Sequence, residues 1–169
     1  MKPSIDILEF SSNLGLVGPV PGRGPGVKKL PAYLKNHGFY TIISPANIHT
    51  LNPPVYSMTV DKESMVRNAV VIAEYAIKQA TLLKQVIDDK NFALVIGSER
   101  SNLNGNKIAL KQSGNFALFY LHGHTDFIWP ELSQTHGAAG MDLAIVSGNG
   151  HPKQTNIFQL EAYKTEENI

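Results

Sequence analysis

Cysteine is absent from the 169 residues of this chain. Disulfides, thiolate metal ligands and cysteine nucleophiles are therefore excluded. A dominant charge is missing too: fifteen Lys and Arg stand against fourteen Asp and Glu, a net of +1. That balance argues against nucleic acid and against anionic membrane as partners. No apolar run approaches the roughly 18 residues of a membrane span. The opening Met1-Lys2-Pro3-Ser4 lacks the apolar run of a secretory signal, so a cytoplasmic protein is expected. Charged residues are scarce at 17%, while apolar residues reach 43%, which excludes a charge-rich disordered chain. The length predicts one domain over residues 1–169. A domain of this size buries about 70% of its unfolded surface, enough for a real core.

What is present alternates between strand-like and helix-like patterns. Ile5-Asp6-Ile7-Leu8-Glu9-Phe10 reads as a first strand, mostly apolar as in a sheet covered on both faces. A Gly/Pro-rich connection runs from Gly15 to Gly26. It lacks the G-x-G-x-x-G spacing of a phosphate-cradling loop. Val27 to Asn36 reads as a short helix stopped by His37-Gly38. Phe39 to Ile43, β-branched and aromatic, reads as a strand, and Ser44 to Val60, with Pro45, Pro53 and Pro54, as irregular. Three- and four-residue steps of Met65, Ala69, Ile72, Ala76, Ala80, Leu83 and Ile87 predict a long helix from Lys62 to Lys90, with Asp61 as its N-cap. Phe92 to Ile96 reads as a buried strand, Leu103 to Lys111 as a helix, Phe116 to Leu121 as another strand and Ala138 to Val146 as a helix. Strands alternating with helices predict a three-layer α/β/α domain with a mainly parallel sheet. Ligands of such sheets gather at the carboxyl ends of the strands. Two segments fit that place, Gly97 to Ser101 and His122 to Asp126.

His122-Gly123-His124-Thr125-Asp126 carries the most chemistry. If the extended backbone continues past Leu121, period-two alternation points His122, His124 and Asp126 the same way. Two imidazoles and a carboxylate at a strand end make a candidate divalent-metal site, opposed by a polar strand end whose His residues bond to loops. Glu99 is a possible further ligand. Arg100 beside it is unfavourable near a divalent cation unless an anion pairs with it. The bland alternative is a surface Glu-Arg pair at a strand-to-helix turn. His136, in a loop of small residues, is a possible substrate-binding residue, with a solvent-exposed loop His as the alternative.

Three segments together resemble the ureohydrolase family of arginase, agmatinase and formiminoglutamase. They are Val95-Ile96-Gly97-Ser98-Glu99-Arg100-Ser101, which is similar to the family's G-G-D-H-S; His122-Gly123-His124-Thr125-Asp126-Phe127, similar to D-A-H-x-D-x; and Gly140-Met141-Asp142-Leu143-Ala144, similar to H-G-M-x-L-A. The resemblance implies an arginase-like fold and two Mn²⁺ ions that activate a bridging hydroxide against a guanidino or formimino carbon. It places His124 and Asp126 on family ligand positions.

The departures are as informative. His122 stands where the family has an aspartate that bridges both metals, and an imidazole nitrogen has one lone pair for one metal. Arg100 stands at a family His ligand, and a guanidinium has no acceptor. Glu99 replaces an Asp, and Ser98 replaces a Gly. Six Asp occur and none forms the D-x-D pair with which the family completes its metal sites. Family members run to roughly twice this length. The resemblance thus implies a truncated arginase-like domain, impaired or inactive, holding at most one Mn²⁺ through His122, His124 and Asp126. A small guanidino or formimino compound is the implied substrate. Self-association through an exposed sheet edge is expected. Two other readings stand: a non-catalytic binding or assembly module on the same fold, and a metallo-β-lactamase-like hydrolase, whose motif is H-x-H-x-D-H on a β-rich sandwich.

Overall fold

The computed structural model describes residues 3–21, 23–114 and 116–160. Its centre is strand β1, Ile5–Phe10, whose residues from Asp6 onward are all buried. After it come helices α1 (Leu30–Asn36) and α2 (Phe39–Ile43), strand β2 (Asn47–Leu51) and a two-residue hairpin of β3 (Val60–Asp61) and β4 (Val66–Arg67). Helix α3 (Ala69–Asp88), strand β5 (Phe92–Gly97) and helix α4 (Asn102–Ser113) follow, then α5 (Asp142–Val146) and α6 (Pro152–Thr155). The main sheet has the order β2-β1-β5, and both pairings are parallel. Parallel neighbours need crossovers, and α1–α2 and α3 supply them.

Alternation along β1 sends its side chains to two cores. Leu8 and Phe10 pack with Ala76, Ala80, Leu83 and Ile108 of α3 and α4. Ile7 packs on the other face with Tyr40 of α2 and Ile96 of β5. The helix–sheet–helix layering expected from the sequence is therefore present. Each fully buried aliphatic or aromatic side chain contributes about 1.5–3 kcal/mol. Helices α3 and α4 lie close because Gly105 faces Gln79, where a β-carbon would approach the Gln79 side chain to 2.5 Å. A third core joins Leu14, Val66 and Ile72 to Met141 and Ile145, and so fastens the Gly-rich connection to α5.

Four expectations change. Phe39 to Ile43 is helical, not extended. It is framed by left-handed backbone at Gly38 (φ 81°) and Ser44 (φ 49°), and Phe39, Tyr40 and Ile43 pack on the Ile7 face. In five residues that grouping outweighs β propensity. The stretch from Ser44 to Val60 contains β2, an edge strand whose polar Asn47 and His49 hide its periodicity. The long helix begins at Ala69 instead of Lys62. Met65 (φ 55°) and Asn68 (φ 56°) are left-handed and cannot continue a helix. Asp61 is accordingly no N-cap; its Oδ2 accepts from the amide (3.0 Å) and hydroxyl (2.6 Å) of Ser64 in the turn of the hairpin. Finally, Phe116 to Leu121 forms no strand, and Phe119 and Leu121 are 94% and 95% exposed. Among the described residues, β5 pairs with β1 alone, so no neighbour draws this apolar run into the sheet. No helix among the described residues is long and apolar enough to cross a membrane.

Candidate functional site

The carboxyl ends of β1 and β5 form one rim of the sheet, and the loops after them meet residues 120–142 there. A cleft of about 330 Å³ opens at this rim, lined by Gly97, Glu99, Arg100, Asn106, Tyr120 and Asp142 among others. The three residues expected as metal ligands do come together: one ligand atom from each of His122, His124 and Asp126 lies within 4.8 Å of the others. Strand alternation is not what gathers them. The chain bends at Gly123-His124 and turns left-handed at Asp126 (φ 47°), a conformation that Asp tolerates better than most residues.

Arg100 occupies the middle of the group. Its Nη2 donates to Asp126 Oδ1 at 3.1 Å, and its Nε and Nη2 both donate to the Ala139 carbonyl, at 2.8 and 2.6 Å. Its Nη1 lies 2.5 Å from His122 Nε2. Because a guanidinium only donates, that nitrogen of His122 accepts. The other ring nitrogen, Nδ1, then carries the proton; it lies 2.8 Å from Asp126 Oδ2 and 3.3 Å from the His124 carbonyl oxygen. The Tyr120 hydroxyl also donates to Asp126 Oδ2, at 2.9 Å. Asp126 thus has both oxygens engaged, and His122 both nitrogens. The His124 ring leans on that of His122, with centroids 5.3 Å apart.

Asp142 completes the cluster from the first turn of α5. It is buried, 3.9 Å from Arg100 Nε, and its Oδ1 has no hydrogen-bond partner. Burial pushes its carboxyl up to about 7, the Asp126 charge adds to the rise and Arg100 opposes it. Burial and the charges of Asp142 and Asp126 also push the Tyr120 hydroxyl above its ordinary range, which keeps it a donor.

With Arg100 seated in this way, His122 Nε2 is closed to a divalent cation. Metal bonds to imidazole nitrogen are about 2 Å long, so an ion on the lone pair of His122 Nε2 would fall on the guanidinium. The electrostatics agree: two unit charges of like sign 4 Å apart repel by about 4 kcal/mol at an effective dielectric constant of 20, and a dication doubles that.

Glu99, which lines the same cleft, and His136, the other two candidates, are not among the grouped ligands. Glu99 accepts from Ser12 Oγ (2.7 Å), from the Ser101 amide (2.8 Å) and from the Ser101 hydroxyl. It closes the turn against Gly15, where a β-carbon would collide with its carboxylate. His136 is a fastening between loops: its Nδ1 bonds the Met65 carbonyl at 2.9 Å, and its own carbonyl accepts from the Arg67 amide at 2.7 Å. Sequence reasoning missed three members of the cluster in their roles, namely Arg100 as its central donor, Tyr120 and Asp142. The one available signal was an arginine three residues beyond a strand that ends at the ligand-bearing rim.

No family model matches the chain, and no curated protein matches it. Solved structures do. Arginase from Bacillus caldovelox superposes with a TM-score of 0.82 at 23% identity, over 99% of this chain and 56% of that one. Arginase from Bacillus subtilis gives 0.78 at 21%, over 98% and 54%. Entamoeba histolytica arginase in complex with L-ornithine gives 0.76 at 21%, over 98% and 55%. The fold is thus arginase-like, as the sequence resemblance implied, and the chain spans about half the length of these structures.

Proposed function

We propose that this chain is an arginase-like module that does not hydrolyse guanidino or formimino compounds by itself. The observation that carries this reading is Arg100, whose guanidinium bonds His122 and Asp126 at the sheet rim. Metal-assisted hydrolysis needs a cation to activate water, and the groups offered for that purpose are already held by a side chain. The lack of any D-x-D pair among the 169 residues supports the same reading. Manganese, which the resemblance implies, therefore has no part in what the isolated chain does. We also read the open side of β5, with the exposed Phe119 and Leu121, as a surface for self-association.

Urea release from arginine and agmatine, and formamide release from formiminoglutamate, test the proposal with Mn²⁺ supplied. The expected result is the rate of the enzyme-free blank. Product above that blank, lost on His124→Ala, would overturn it. Size-exclusion chromatography tests the self-association: oligomers are expected, and a clean monomer would remove that part.

A further inference from the structure

We infer that Arg100 is a built-in counter-cation, which seats itself among His122, Asp126 and Asp142 and closes that group to divalent ions. The inference deepens the reading above, since it names what silences the site.

Three observations converge on it. First, the guanidinium uses every edge: Nη1 on His122, Nη2 on Asp126, and Nε and Nη2 on the Ala139 carbonyl. Second, the acids it faces are otherwise met by neutral groups. Asp126 and Asp142 are both buried, and the Tyr120 hydroxyl, 2.9 Å from Asp126 and 3.3 Å from Asp142, is neutral. Third, Asp142 Oδ1 is buried without a hydrogen-bond partner, 3.9 Å from Arg100 Nε, so the anionic pocket holds more acceptor capacity than one guanidinium satisfies. The Asp126 carboxylate, the Asp142 carboxyl and an imidazole acceptor in one place attract a cation, and the cation present is covalently part of the chain. Being tethered, it is at a fixed high local concentration that a free ion must overcome. The group is therefore a divalent-ion site in composition whose place the Arg100 guanidinium takes. Removing the arginine side chain beyond its β-carbon should open that place to an ion.

The test uses Mn²⁺ alone on the full chain, with bound metal counted by equilibrium dialysis and read by electron paramagnetic resonance. Wild type is expected to show no stoichiometric binding up to about 1 mM, and Arg100→Ala to take about one ion per chain at least tenfold more tightly. Saturating Mn²⁺ should raise the melting temperature of Arg100→Ala by about 5–10 °C and leave wild type unchanged. Equal binding by both proteins would overturn the inference, as would a folded Arg100→Ala that binds nothing. If Arg100→Ala does not fold, wild type alone decides: substoichiometric Mn²⁺ should broaden the ring signals of His122 and His124 no more than that of the distant His37, and selective broadening at 122 and 124 would sink the inference. The two proposals fail separately. Urea release without stoichiometric Mn²⁺ binding refutes the silent-module reading only, whereas tight Mn²⁺ binding by wild type without urea release refutes the counter-cation only.

Discussion

Asp6 and Glu9 on β1 are 2% and 9% exposed, and Asp126 and Asp142 at the rim are 6% and 1% exposed. The burial is alike and the solution differs. The acids of β1 are held by amide, hydroxyl and imidazole groups from neighbouring chain. Asp6 accepts from Asn47 (3.0 Å) and Asn91 (3.2 Å) and meets His49 Nε2 at 3.3 Å; Glu9 accepts from Tyr40 (2.8 Å) and Thr50 (2.6 Å). Most of these partners arrive with the sheet itself, because parallel register sets Asn47 opposite Asp6 and Thr50 opposite Glu9. The rim acids have no strand beside them to supply such donors, and a guanidinium takes up the charge. A buried carboxylate is tolerated either where paired strands bring donors in register or where a cation reaches it.

Breaking each arrangement should cost different amounts. Arg100→Ala is expected to lose about 2–3 kcal/mol in urea unfolding without added metal. That is below the 3–5 typical of a broken buried pair, because the Arg100 side chain is 33% exposed. Tyr40→Phe, which removes one of two hydroxyl donors to Glu9, is expected to lose about 1–2 kcal/mol. A Tyr40→Phe protein as damaged as Arg100→Ala would erase the contrast. The smallest effect belongs to a carboxylate in neither class. Asp61, at the hairpin turn, is lowered to about 2 by the hydroxyl and amide of Ser64, with Lys153 adding to the shift. The native carboxyl is the stronger acid, so its stabilising effect is complete above the unfolded value of about 3.9 and fades as pH falls towards 2. Melting curves of Asp61→Asn should therefore lie slightly below wild type near neutrality and merge with it near pH 2. A gap that persists at the lowest pH would assign the effect to something other than ionisation.

Two apolar runs show how far the sequence could be read. Phe92 to Ile96 and Phe116 to Leu121 have the same strand signature, and only the first pairs. A strand is half a structure, and its other half is a neighbour that no local pattern encodes. The 62–68 stretch fails for a different reason: helical spacing of apolar residues continues through Met65, while left-handed backbone at Met65 and Asn68 ends the helix register. At the site, the types and spacing of His122, His124 and Asp126 were legible, and so was the incompatibility of Arg100 with a metal ligand's role. The alternative of a surface Glu-Arg pair left out the partners of Arg100, because Ala139 and Asp142 come from about forty residues further along the chain.

Taken alone, the sequence determined what was absent and what could alternate: no thiol chemistry, no dominant charge, a β/α order that commits the chain to helices on both faces of a parallel sheet. These follow from composition and period, which are properties of neighbours along the chain. Only the tertiary structure decided which apolar run joins the sheet and which cation answers the acids at its rim. Both are choices between partners distant in sequence, settled by which groups are brought within hydrogen-bonding reach once the backbone is folded.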